Sequence, residues 1–147
     1  MYIPLDNRPV CLDYVKQTIT AAGYDLAVPP EKLLADNEHT GNPGALWSWL
    51  NNAVQDADAA VLATDSLIYG GLVASRTHYD SETLLLARIQ NFQELRENHP
   101  SLKVYAFSTV MRTPRQSFGK VEPSYYTKYG PDIFLLSQLN DKEEGQG

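Results

Sequence analysis

This sequence has a single cysteine, no long apolar run and no excess of positive charge, and each of these features excludes a class of protein. A single cysteine, Cys11, cannot form an internal disulfide or supply the repeated thiolates of a structural zinc site. No apolar run approaches the ~20 residues that a membrane-spanning helix needs. Lysine and arginine number 12 against 18 acidic residues, and the net charge of −6 gives no general attraction to phosphate backbones. We therefore expect a globular protein that binds neither membranes nor nucleic acid.

The sequence also lacks the common signatures of nucleotide-binding and hydrolytic enzymes. It contains neither the G-x-x-x-x-G-K-[ST] loop nor G-x-G-x-x-G, and no G-x-S-x-G elbow for a nucleophilic serine. The three histidines, His39, His78 and His99, never stand two or four positions apart, so we predict no histidine zinc site. No cofactor is identified by these patterns.

The length and the first residues bear on organisation and location. A chain of 147 residues is long enough for one domain with its own core. Near the start, Asp6, Asn7 and Arg8 interrupt the stretch where the apolar region of a signal peptide would lie. We expect a cytoplasmic protein.

Apolar segments that read as strands alternate with segments of helical periodicity. The strand candidates are "MYIPL", "YDLAVPP", "ADAAVLAT" and "LKVYAFST". Between them, apolar residues recur at helical spacing over 12–22, 46–54 and 85–95. This alternation predicts an α/β fold: a mostly parallel sheet of about four strands with helices on both faces, in a Rossmann-like, three-layer arrangement. We predict one α/β domain over 1–135, with a last helix around "PDIFLLSQL", and a polar, disordered tail over 136–147.

Polar residues follow the predicted strands. The first strand runs into Asp6, the strand at 57–64 runs into Asp65, and the last ends at Ser108 and Thr109. Because the carboxyl ends of parallel strands meet at one edge of a sheet, we expect these residues to share a ligand site there. The candidate catalytic residues are Asp6 and Asp65, and the candidate substrate-binding residues are Asn7, Arg8, Ser66, Tyr69, Gly70, Gly71, Arg76, Ser108, Thr109 and Arg112.

Two carboxylates in different surroundings favour acid/base chemistry, because one can donate a proton while the other stays ionised. A carboxylate pair can also cleave a glycosidic bond, or hold Mg²⁺ or Mn²⁺, although the pattern assigns no metal site. The same acids beside arginines are equally expected of structural ion pairs that brace loops. Gly70 and Gly71 are expected either as turn residues with positive φ or as a backbone-amide nest for an anion.

Several long blocks resemble a known family. These are "YIPLDNRPV" at 2–10, "WL" at 49–50, "TDSLIYGGLVASR" at 64–76, "FSTVMRTP" at 107–114 and "EPSYYTKYG" at 122–130. With them the chain resembles the DUF4127 family, bacterial proteins of uncharacterised function. The resemblance implies the amino-terminal portion of a longer architecture, with a missing carboxyl-terminal domain, and it implies no reaction or cofactor. Where the family pattern has "DDRPVN", this chain has Asn7 and Cys11, which puts a role for a second acid there in doubt.

Three hypotheses follow, and whether the protein is an enzyme stays open among them. The first is a hydrolase that acts on a small polar or carbohydrate-like substrate through the paired carboxylates, with arginines orienting the ligand. The second is a non-catalytic module that binds a small polar molecule at the same edge. The third is an inactive, truncated gene product whose sheet edge lacks its partner domain and exposes apolar surface.

Overall fold

The computed structural model describes residues 1–111, 113–115 and 121–145. The chain forms two compact units, Met1–Thr109 and Val110–Gly147. Within the first unit three strands form one parallel sheet in the order β1 (Tyr2–Ile3), β2 (Ala59–Ala63) and β3 (Lys103–Phe107). The predicted α/β architecture with a parallel sheet is confirmed, with three strands in the described residues instead of four.

The segment "YDLAVPP" was predicted as a strand, and that prediction is wrong. The segment is connected to strand β1 by a backbone hydrogen bond from Tyr2 N–H to the Ala27 carbonyl at 2.9 Å, and within the described ranges it forms no ladder with the sheet. Pro29 and Pro30 have no N–H to donate, so a ladder cannot continue past them.

The first unit contains five helices. They are α1 (Asp13–Ala21), α2 (Pro43–Ala53), α3 (Thr64–Ile68), α4 (Ala74–Thr77) and α5 (Glu82–Asn98), with 3₁₀ turns at Glu31–Leu33 and Val54–Asp56. Of these, α1, α2 and α5 begin and end near the predicted segments, whereas the short helices α3 and α4 were not predicted. Asn42 caps α2 by accepting a hydrogen bond from Ala45 N–H, and Ser81 caps α5 by accepting one from Leu84 N–H. Gly23, with φ of 85°, follows α1 in the left-handed conformation common after a helix.

The core lies between one face of the sheet and helices α2 and α5. Ile3, Ala60 and Leu62 are fully buried on that face and share the core with Trp47 and Leu95. The apolar face predicted along α5 is buried mainly near the carboxyl-terminal end of the helix. Leu95 is buried there, whereas Ile89 remains 47% exposed.

The opposite face of the sheet is covered at β1 and open at β3. Tyr2 is buried there, whereas Tyr105 is 60% exposed, and its neighbours Val61 and Phe107 are exposed as well. Strand β3 therefore presents apolar side chains to solvent.

The second unit contains helix α6 (Tyr126–Glu144), which is longer than predicted at both ends. Pro131, expected at its start, lies inside it. The extra first turn is possible because Gly130 leaves room for the Tyr126 ring, whose nearest atom lies 2.5 Å from where a Cβ would stand. Residues 136–144, predicted as part of a disordered tail, are helical, and Leu139, Lys142 and Glu143 are good helix formers.

Candidate functional site

The carboxyl edge of the sheet gathers residues from all three strand ends. Ile3 pairs with Leu62, and Ala63 pairs with Phe107, so the residues that follow each strand emerge together. Asp6 and Asp65 are both 5% exposed at this edge.

Three consecutive side chains, Thr64, Asp65 and Ser66, connect the end of β2 to the ends of both neighbouring strands. The Thr64 hydroxyl donates to the Phe107 carbonyl at 3.2 Å and lies 2.6 Å from the Ser108 hydroxyl. Asp65 accepts two hydrogen bonds from Thr109, which follows β3, and Ser66 donates to carbonyls that follow β1. These contacts make the sequence "TDS" a junction between strands.

Both carboxylate oxygens of Asp65 are engaged by one residue. Thr109 donates its backbone N–H to Oδ2 at 3.0 Å and its hydroxyl to Oδ1 at 2.9 Å. On the other side of the junction, the buried Ser66 hydroxyl lies 2.7 Å from the Pro4 carbonyl and 2.9 Å from the Leu5 carbonyl, and donates to them. Asp65 thus fixes the segment that leaves β3, while Ser66 fixes the segment that leaves β1.

The short helix α3 that carries these side chains has its last two carbonyls, those of Leu67 and Ile68, bonded by distant groups. The Trp47 indole N–H donates to the Leu67 carbonyl at 3.0 Å, and Arg88 donates to the Ile68 carbonyl while pairing with Asp80. Sequence reasoning missed both partners because each lies 20 residues from the carbonyl that it bonds.

Gly70 and Gly71 follow α3 with φ of 92° and 130°, which confirms the expected positive-φ turn. Their N–H groups donate to the Ser66 and Asp65 carbonyls. A Cβ on Gly71 would stand 2.5 Å from the Ala35 Cβ, so the loop at 31–42 approaches this turn closely. The amides thus terminate the helix instead of facing a ligand.

Asp6 is held by Arg8 and Cys11. Oδ2 of Asp6 accepts from Nε of Arg8 at 2.9 Å and lies 2.7 Å from Nη2, and Oδ1 accepts from the Arg8 backbone N–H at 3.1 Å. Burial alone would raise the pKa of Asp6. Hydrogen bonds from Arg8 and Cys11, with the charge of Arg8, outweigh that effect and hold the pKa below its ordinary value. Asp6 is therefore ionised at neutral pH.

Arg8 remains accessible although it is paired. Its side chain is 43% exposed against 8% for Asp6, and its pKa is raised, chiefly by its hydrogen bond to Asp6. Next to it, the half-buried Asn7 donates its backbone N–H to Ala35. Its carboxamide forms no hydrogen bond with any residue that the structure describes. Two consecutive residues after β1 therefore carry side chains that can donate hydrogen bonds to an anion.

Of the remaining predicted residues, Tyr69 and Arg76 lie in or next to the short helices after β2, and Arg112 lies outside the described residues. Tyr69 follows α3, and its ring lies 4.8 Å from that of His78, whose Nδ1 is buried with no hydrogen-bond partner among the described residues. Arg76 lies half-buried in α4.

The described residues contain no group of three or more histidine, cysteine or acidic side chains arranged to hold a metal ion. No helix in the described ranges has the length and hydropathy to cross a bilayer. Two clefts lined by described residues, of about 400 and 800 Å³, contain none of the predicted site residues. The candidate site is thus defined by converging polar groups and not by these cavities.

A family model described as a protein of unknown function, DUF4127, matches residues 1–147. The chain belongs to the DUF4127 family. Comparison with curated proteins and comparison with solved structures each gave no match. In this DUF4127 chain, the block "TDSLIYGGLVASR" builds the strand junction and the glycine turn described above.

Proposed function

We propose that the carboxyl edge of the sheet binds the anionic group of a small polar molecule through Arg8 and Asn7. The observation that carries this proposal is the side-on pairing of Arg8 with Asp6. It uses Nε and Nη2 on a single carboxylate oxygen, and the Arg8 side chain as a whole remains 43% exposed. A guanidinium has five N–H donors in a fixed plane, so such pairing orients it while donors remain for a second anion.

Binding is favoured over hydrolysis through paired carboxylates because both acids already have internal partners. A general acid or base must be able to reach the proton it transfers. Asp65 accepts from Thr109 with both oxygens, and Asp6 is ionised and hydrogen-bonded to Arg8. In this proposal Asp6 orients Arg8, and Asp65 holds the loop after β3.

The test is isothermal titration of the protein with phosphate, citrate and neutral xylitol, for wild type, Arg8→Gln and Arg8→Lys. We expect the two anions to bind and xylitol not to, with binding at least about tenfold weaker in Arg8→Gln and partly retained in Arg8→Lys. Arg96→Gln, on the exposed part of α5, is the matched control and should bind as wild type does.

Circular dichroism of each variant separates lost binding from lost folding. Unchanged anion binding in a folded Arg8→Gln variant would overturn the proposal. Turnover of a carbohydrate-like substrate that disappears in folded Asp65→Asn would instead support the hydrolase hypothesis.

A further inference from the structure

Helices α2 and α5 pack tightly at one part of their seam and separate at the other. Trp47 and Phe92 meet edge to face with ring centroids 4.7 Å apart, and Leu50 and Leu95 are buried in the same core. Toward the carboxyl ends of the two helices the seam opens into a groove of about 400 Å³. Its lining residues precede β2 and β3 in the chain and include none of the residues that follow β1, such as Arg8.

Polar side chains line this groove at helical spacing from both sides. The α2 side contributes positions 51 and 55, and α5 contributes 91, 94 and 98, which fall on one face of that helix. The polar lining residues are Asn51, Gln55, Asn91, Glu94, Asn98 and His99.

The side chains of these six residues form no hydrogen bond or ion pair with any residue in the described part of the chain. By contrast, the neighbouring carboxamides of Asn52 and Gln93 do form such bonds, to the Ser48 carbonyl and to Glu97. The polar side chains that line the groove are thus not engaged by the described residues and can bind a ligand.

The chemistry of the lining indicates the class of ligand. Four carboxamides each offer two donors and an acceptor, which match hydroxyl groups that also donate and accept. The described lining residues include one carboxylate and no lysine or arginine, which disfavours an anionic ligand. A volume of about 400 Å³ is within the range of small-molecule sites.

We propose that this groove binds a neutral, polyhydroxylated small molecule of the size of a mono- or disaccharide. The proposal does not depend on the anion site at Arg8, because the two sites share no residue.

The test is an NMR titration of ¹⁵N-labelled protein with maltose, which reports directly on side-chain amide groups. We expect saturable shifts of the Asn91 and Asn98 NH₂ signals. In the double variant Asn91→Leu/Asn98→Leu, shifts of the Asn51 and Gln55 signals should require at least about tenfold more maltose.

Gln90→Leu is the matched control, since Gln90 is an exposed carboxamide on α5 outside the groove. It should leave the titration unchanged. The proposal is overturned if maltose produces no saturable shift, if the double variant responds as wild type does, or if the Gln90 NH₂ signal of the wild type moves as much as those of the groove.

Discussion

Asp65 and Thr109 are joined by two hydrogen bonds across 44 residues of sequence, one from the backbone N–H and one from the hydroxyl of Thr109. The pair connects the end of β2 to the segment that leaves β3. Asp65 is 5% exposed, so its carboxylate depends on these donors in place of water. This relationship makes Asp65 a structural residue of the carboxyl edge.

We therefore expect Asp65→Asn to lower the free energy of unfolding by about 1.5–3 kcal/mol, because an amide cannot accept both hydrogen bonds. Urea unfolding of Asp65→Asn, Thr109→Ala and the double variant gives the coupling energy directly. Asp25→Asn, at an exposed position, should change stability little. Additive effects of the two substitutions would show that the pair is not coupled.

A second prediction concerns the buried hydroxyl of Ser66, which is 2% exposed and donates to carbonyls after β1. Ser66→Ala leaves those acceptors without this donor and should cost about 1–3 kcal/mol of unfolding free energy. Ser48 also donates to a backbone carbonyl, but it is exposed within α2. Ser48→Ala should be nearly neutral, and equal losses in the two variants would contradict the role assigned to burial.

A third prediction compares two glycines with positive φ. It separates the cost of backbone strain from the cost of a steric clash between an added Cβ and a neighbouring residue. Gly23, with φ of 85°, has no atom within 4 Å of an added Cβ, so Gly23→Ala should cost about 1 kcal/mol from conformation alone. Gly71→Ala adds a Cβ 2.5 Å from the Ala35 Cβ and should cost more than about 3 kcal/mol. Urea unfolding measures both, and similar losses would mean that the loop at 31–42 moves away freely.

The position of the site could be predicted from sequence, but the partners within it could not. Continuous apolar runs that end at Asp6 and Asp65 indicate parallel strands and hence a shared edge. Thr109 donates to Asp65, and Trp47 donates to the Leu67 carbonyl. Both hydrogen bonds depend on how segments that are distant in sequence pack against one another. Local patterns carry no information about such contacts.

The errors in the predicted fold also have physical causes. The segment "YDLAVPP" has the composition of a strand, but the two prolines prevent the ladder that would make it one. Pro131 resembles a helix start, yet the fit of the Tyr126 ring against Gly130 places a helical turn before it. Close contact with a glycine three or four positions away is not visible in hydrophobic periodicity.

A fourth prediction follows from the lowered pKa of Asp6. Burial opposes ionisation, but the hydrogen bonds and charge of Arg8 prevail, so the folded pKa lies below the unfolded value of about 4. The ionised form therefore adds stability above about pH 4, and this contribution is lost as the pH falls through the folded pKa. Unfolding free energies between about pH 6 and pH 2 should converge for wild type and Asp6→Asn as the pH falls.

Asp36 keeps its own lowered pKa in both proteins, through N–H groups of Glu38 and His39, so it does not distort this difference. Parallel curves across the whole range would contradict the linkage assigned to Asp6.

The last prediction uses Cys11, whose thiol is the only one in the chain. Burial raises its pKa, and the hydrogen bond to Asp6 and the negative charge of Asp6 raise it further. A raised pKa lowers the thiolate fraction, and the thiolate is the form that iodoacetamide alkylates. Asp6→Asn should therefore speed alkylation at pH 8, whereas Asp13→Asn, which removes a carboxylate at the start of α1, should not. Since Arg8 would remain near the thiol after Asp6→Asn, its positive charge adds to the acceleration. Equal alkylation rates in the two variants would mean that Asp6 does not control this thiol, and that the Asp6, Arg8 and Cys11 side chains do not act as one electrostatic cluster.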